Sequence, residues 1–294
     1  MILKLRRTVV AYTLLFPSLI LLGIFTIYPI LDSLYISFFR WDIMSTARPF
    51  VGLQNYIHIF TDPLFLQALL NTVEYVVFFV PIVMIVGLLA ALLLNSKVRF
   101  LSFFRTIMFL PYITSLAATG VLWQWLFNDQ FGLVNYFLQA VGLPSQDWLN
   151  NQNLTMFTMV LFGVWQNLGY VAVIFLAGLQ NVSKEAYEAA DVDGASALQK
   201  VWHITLPLLS PTTYFVLLLS TIEAFRVFLQ VYVLYGQTPG PNNSGMTLLY
   251  YMYEMGFNDY KMGYASATAY VLFLITFIVT LIQMTLSRRV HYDQ

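Results

Sequence analysis

The sequence predicts an all-α membrane protein with six transmembrane helices, and three observations lead there. Of its 294 residues, 59% are hydrophobic and only 10% are charged, where ordinary soluble domains carry roughly 25% charged residues. A soluble fold of this length has too little interior to hide that much apolar surface, so the bilayer must be the solvent. The apolar residues gather in six runs, at about 9–38, 70–95, 102–127, 154–179, 212–235 and 263–286, each near or above the roughly 20 residues that a helix needs to cross. Charge then orients the runs. With the N-terminus in the cytoplasm, Lys4, Arg6, Arg7, Lys97, Arg99, Arg105, Lys184, Lys200, Arg288 and Arg289 fall on or near the inner side. Arg40, Arg48 and Lys261 fall outside, and Arg226 lies within a span. This positive-inside bias places both termini and the 180–211 connection in the cytoplasm. The chain reads as a single transmembrane domain over 1–294.

Taken in order, Lys4, Arg6 and Arg7 precede an apolar run from Val9 to about Phe38. The run is too long for a signal peptide and shows no small-residue cleavage site, so it reads as a retained anchor. Pro17 and Pro29 are expected to kink it or end it early, breaks that a helix bundle tolerates. Residues 39–69 are too polar and broken to span. They hold Trp41, Asp42, Arg48, the run Phe50-Val51-Gly52-Leu53-Gln54-Asn55-Tyr56, an acidic turn at Thr61-Asp62-Pro63, and then Asn71-Thr72. Glu74, one turn into the second span, is expected at the interface. The remaining connections are about 96–101, 128–153, 180–211 and 236–262, the last opening with the turn-forming Tyr235-Gly236-Gln237-Thr238-Pro239-Gly240. The final span opens on small residues, Gly263, Ala265, Ser266 and Ala267, which allow close helix packing.

Charges and amides inside a bilayer are costly unless they meet water, a partner or a ligand. The fifth span holds Glu223 and Arg226, three residues apart and so neighbours on one helical face. They form either an ion pair that anchors the bundle or part of a polar pathway. Ser220, Glu223, Ala224 and Val227 follow the i, i+3, i+4, i+7 spacing of one helical stripe. Gln166, Asn167 and Tyr170 make a second polar cluster in the fourth span.

The longest polar segment between apolar runs is Glu188 to Pro207, EAADVDGASALQKVWHITLP. Its alanines favour helix, Ser183 ahead of the acids makes a helix start, and Gly194 permits a turn. A short helix, a turn and a second short helix on the membrane surface follow from this pattern. One reading is a hairpin that merely joins two spans. However, Glu188-Ala189-Ala190, Gly194 four residues on, and Ile204-x-Leu206-Pro207 match at seven positions the EAA loop of ABC importer membrane subunits, which the chain resembles. The resemblance runs from Leu15 to about Met284. The Phe-x-Gly-Leu-x-Asn-Tyr run is similar to the external segment of carbohydrate-importer permeases. The 235–240 loop departs from the Thr-Gly-Gly-Gly-Pro of many relatives.

This resemblance implies a six-span permease of the maltose or glycerol-phosphate type, with a coupling helix between spans four and five docked on an ATPase. Glu188, Ala189, Ala190, Asp193, Gly194, Ile204, Leu206 and Pro207 would then couple to the ATPase. Gln166, Asn167, Tyr170, Ser220, Glu223, Ala224, Arg226 and Val227 would lie along the sugar's path. The implied partners are a second homologous permease, two ATP-binding subunits, an external solute-binding protein and a carbohydrate, in a bacterial or archaeal plasma membrane. ATP and Mg would sit on the partner subunits, and this chain would bind no cofactor. ATP binding would close the ATPase dimer, draw the docked loops together and rock the spans from inward-facing to outward-facing.

Absences narrow the alternatives. No G-x-x-x-x-G-K-[ST] occurs, so this chain does not cradle ATP phosphates itself, and no H-E-x-x-H or G-x-S-x-G suggests an enzyme. With no cysteine and with His58, His203 and His291 far apart, no metal site is expected. Zero net charge argues against nucleic acid. The alternative from another class is an ion-coupled secondary transporter that uses Glu223 and Arg226. Such folds usually carry internal repeats, and none is visible here.

Overall fold

A computed structural model describes residues 2–95 and 100–286, with side chains left out for 2–9 and 11. Lys97, Arg99, Arg288, Arg289 and His291 lie outside the described residues, as do the side chains of Lys4, Arg6 and Arg7. Among the described residues the regular structure is helical, with two isolated β-bridges. Four helices among the described residues are long and apolar enough to cross a membrane, or up to six if each of two bent pairs is one span. The chain divides into two compact units, Met1–Pro63 with Met252–Val271, and Leu64–Tyr251 with Leu272–Gln294.

In the first unit, α1 (Ile2–Leu22) passes through Pro17, and a wide π-turn (Gly23–Ile27) leads into α2 (Tyr28–Ser37). Pro29 neither ends the helix nor breaks it. Without an N–H, proline makes no bond to the carbonyl four residues back, and the turn before it widens, with the Tyr28 N–H reaching the Gly23 carbonyl. The Phe-x-Gly-Leu-x-Asn-Tyr run then has a structural task. Asn55, buried in α3 (Gln54–Thr61), donates to the carbonyls of Ser37 (2.7 Å) and Phe39 (3.0 Å), satisfying groups that the end of α2 leaves open. The Tyr56 and Ser37 hydroxyls meet at 2.7 Å. A π-turn (Glu254–Asn258) precedes α15 (Met262–Leu286), whose Gly263 N–H donates to the Trp41 carbonyl at 3.2 Å and whose Ala265 and Ala267 are buried as the small-residue pattern predicted.

The second unit is built on α8 (Gln152–Gln180), capped by the Asn151 side chain. Around it lie α4 (Pro63–Asn95), α5 (Leu101–Ile113), α6 (Leu116–Leu126), α12 (Ser210–Phe225) and α13 (Leu229–Leu234). A Cβ at Gly169 of α8 would strike the Met108 carbonyl and the Phe109 Cα, so only glycine lets α5 lie this close. Short helices α7 (Leu133–Ala140) and α14 (Leu248–Tyr253) occupy the 128–153 and 236–262 connections, where no helix is expected from sequence.

Three expected spans differ in form. The second begins at Pro63 rather than near 70, because proline fits the first position of a helix. The third is not straight: α5 and α6 meet at a 100° bend. Pro111 lies in the last turn of α5, the Thr114 N–H and Oγ1 both close on the Leu110 carbonyl, and Thr114 itself turns extended. The fifth is interrupted at Arg226–Phe228, between α12 and α13. There the Val227 carbonyl accepts the buried Thr247 hydroxyl at 2.7 Å, and Phe228 leaves helical geometry at φ −147°, ψ −60°. The stripe expected to run on to Val227 therefore ends with the helix.

Candidate functional site

Between α8 and α12 the chain forms a polar hairpin. Its first arm is α9 (Lys184–Val192), started by Ser183, whose side chain accepts the Ala186 N–H. It ends in a Schellman turn: the Gly194 N–H bonds to the Asp191 carbonyl (3.2 Å) and the Ala195 N–H to the Ala190 carbonyl (2.9 Å). Gly194 sits at φ +71° with open space around it, so its conformation and not its size requires glycine. The second arm is α10 (Ala197–Lys200), opened by a reciprocal Ser196–Gln199 capping box, then a π-turn (Val201–Thr205) and α11 (Leu206–Leu208). The helix–turn–helix expected of Glu188–Pro207 is what forms.

The motif residues divide by direction. Glu188, Ala189, Asp193, Gly194 and Pro207 are exposed, Ala190 is buried, and Ile204 and Leu206 are half-buried. Ala190, Asp193, Gly194, Lys200, His203 and Ile204 line a cleft of about 350 Å³. Val192 (89%), Leu198 (68%) and Trp202 (63%) stand exposed on this polar hairpin.

The second cluster surrounds the two helix breaks. Gln166, Asn167, Glu223 and Arg226 line a cavity of about 460 Å³, together with Tyr112, Thr114, Leu116, Phe228 and Gln230. Asn167, Tyr170, Ser220, Glu223 and Arg226 line a neighbouring one of about 230 Å³. Ala224 and Val227 are buried and line neither. Among the described residues the ion pairs are Lys200–Asp191 and Lys261–Asp259, so Glu223 and Arg226 are not paired with each other. Both are exposed on the cavity wall. Gln166 is 8% exposed, and its Oε1 has no hydrogen-bond partner. Asn167 spends its Nδ2 on the Gly163 carbonyl at 3.0 Å. Carboxylate, guanidinium and amide groups around one hollow suit a hydroxyl-rich ligand.

Tyr112 is the residue that sequence reading missed. It stacks on Tyr170, with ring centroids 4.5 Å apart and planes 8° off parallel, and lines both cavities. Its signal was Pro111, which marks the end of α5 and so a side chain released from a continuous lipid-facing helix. Among the described residues no three His, Cys, Asp or Glu side chains gather to hold a metal ion.

Comparison with known proteins adds four findings. The family described as binding-protein-dependent transport system inner membrane component matches residues 83–292. The arabinooligosaccharides transport system permease protein AraP of Bacillus subtilis (strain 168) is 42% identical over 266 residues, covering 90% of this chain and 84% of that protein. The sn-glycerol-3-phosphate transport system permease protein UgpA of Agrobacterium fabrum (strain C58 / ATCC 33970) is 34% identical over 286 residues, covering 97% of each. Among solved structures, a chain of a bacterial alginate ABC transporter, in complex with alginate pentasaccharide-bound periplasmic protein, shares the fold at TM-score 0.84 and 22% identity, over 97% of this chain and 96% of that one.

Proposed function

The chain belongs to the binding-protein-dependent transport system inner membrane component family, and from that premise we propose that it is one of two permeases of an ATP-driven importer of sugars or oligosaccharides. The hairpin carries this reading: its two arms, joined by the turn at Gly194, leave Glu188, Ala189, Val192, Leu198 and Trp202 exposed. A mere connection between spans would have no need of them. The hairpin docks on a cytoplasmic ATP-binding subunit, and a second such subunit serves the partner permease. An external solute-binding protein delivers the ligand, a role supported by the periplasmic protein bound to the alginate transporter.

The substrate path is assigned to the two cavities of Gln166, Asn167, Tyr170, Ser220, Glu223 and Arg226, with Tyr112 added. A carbohydrate ligand is supported by the arabinooligosaccharide relative. Hydrolysis of ATP belongs to the partner subunits, with this chain binding no cofactor. The ion-coupled reading finds no support in the family match, and its presumed Glu223–Arg226 relay lacks an ion pair. The test is substrate-dependent ATP hydrolysis by the assembled complex in proteoliposomes, screened across neutral sugars, oligosaccharides and glycerol phosphate with the binding protein present. Stimulation by a saccharide is expected. Assembly without any ATP-binding subunit would end this reading.

A further inference from the structure

We propose that Tyr187 and Thr205 are positioning residues that brace the two arms of the hairpin, so that it moves as one rigid lever. Neither residue is among the seven positions of the loop motif. The inference rests on the docking role proposed above for the hairpin.

Three links join the arms. At the tip is the backbone turn around Gly194. Halfway along, Lys200 meets Asp191, but Asp191 is exposed, and pairs of that kind contribute little. At the base, the Tyr187 hydroxyl lies 2.9 Å from Thr205 Oγ1, and Thr205 is only 2% exposed. Thr205 Oγ1 also lies 3.3 Å from the Lys200 carbonyl, which can only accept, while either hydroxyl can donate in the 2.9 Å contact with Tyr187. These contacts run from a side chain of the first arm, through a buried hydroxyl, to the backbone of the second.

Its position follows from the sequence. Tyr187, Ala190 and Asp191 are spaced i, i+3, i+4 and share one face of α9. Tyr187 and Asp191 meet the second arm through Thr205 and Lys200, while the Ala190 carbonyl closes the turn at the tip by accepting the Ala195 N–H. Thr205 closes the π-turn that precedes Pro207, where the Leu206 N–H reaches the Val201 carbonyl. A hairpin held only at its tip would splay at its base under load and absorb the displacement of a docked partner. Held at both ends, it passes that displacement to α8 and α12.

The experiment uses the whole complex in proteoliposomes, reading sugar taken up per ATP hydrolysed. Tyr187→Phe keeps the ring and removes its hydroxyl, while Thr205→Val keeps the shape and removes the other hydroxyl. Each is expected to lower uptake per ATP between about two- and tenfold, the range that an ordinary net hydrogen bond spans, with unchanged yield of complex. Thr205→Ser should restore the ratio, and the double variant Tyr187→Phe with Thr205→Val should lose no more than either alone. A photo-crosslinking side chain at the exposed Ala189 reports docking separately. Crosslinking to the ATP-binding subunit with an unchanged ratio in both single variants overturns the brace and leaves docking intact. No crosslink from the otherwise unaltered chain overturns docking and the brace with it.

Discussion

At the residue scale, the sharpest distinctions are between side chains that hold the fold and those left free to act. Gly194 illustrates the first kind. It sits at φ +71° with nothing within 4 Å of where a Cβ would stand, so a substitution there meets backbone strain and no clash. Asparagine tolerates that conformation, whereas a β-branched residue resists it by about 1–2 kcal/mol or more. Gly194→Asn is therefore expected to keep near-normal uptake, and Gly194→Val to lose uptake at an unchanged level in the membrane. Uptake assays paired with quantification of the membrane fraction decide the point, and normal uptake by Gly194→Val would remove the hairpin from the coupling mechanism. Glu223 illustrates the second kind. Since it is not paired with Arg226, Glu223→Gln strands no partner, and the thermal stability of the purified complex should not change. A charge-assisted hydrogen bond to the ligand, worth roughly 1.5–3 kcal/mol, would be lost, lowering uptake about ten- to a hundredfold. The double variant with Arg226→Met should likewise fold and transport poorly. Full uptake by it would show that the cavity does not bind the ligand.

At the element scale, prolines and close packing decide where straight helices fail. The π-turns Gly23–Ile27 and Val201–Thr205 each end two residues before a proline, Pro29 and Pro207, and in each the residue between reaches back five positions to a carbonyl. A prolyl nitrogen cannot serve the preceding turn, and widening that turn relieves its ring without a sharp kink. Gly169 works through space instead. A Cβ there would strike the Met108 backbone of α5, and Gly169→Ala is expected to destabilise the purified complex by about 1–3 kcal/mol through overpacking. An unchanged melting temperature would mean that α5 moves aside at little cost. Much of this level was legible from sequence. Ser183, Gly194 and the alanines specified the hairpin, and the fourth and last spans were found within two residues of α8 and α15. What stayed hidden depended on partners far along the chain. The break at Arg226–Phe228 involves Thr247, twenty residues beyond Val227, and Tyr112 joined the site only because α5 ends at a 100° bend. Local periodicity records neither event.

At the scale of the whole molecule, function depends on which side of the membrane each cluster faces. The hairpin can meet a cytoplasmic ATP-binding subunit only if the 180–211 connection is inside, the placement that the charge bias of the sequence predicts. The 128–153 connection, one span earlier, must then face outward, and it carries no Lys or Arg to oppose that placement. Exposed positions that make no side-chain hydrogen bond can report each side without disturbing a cap or a turn. Val141 (72% exposed) closes α7 in the outer connection, and Leu198 (68% exposed) lies on the second arm of the hairpin. The chain has no cysteine of its own, so Val141→Cys and Leu198→Cys each introduce a single reactive thiol. In intact cells a membrane-impermeant maleimide is expected to label Val141→Cys and to leave Leu198→Cys untouched until the membrane is permeabilised. If the hairpin docks as proposed, labelling at Leu198 in permeabilised cells should fall once the complex is assembled. Reversed labelling would turn the hairpin outward, away from any source of ATP, and the importer mechanism would fail at its first requirement.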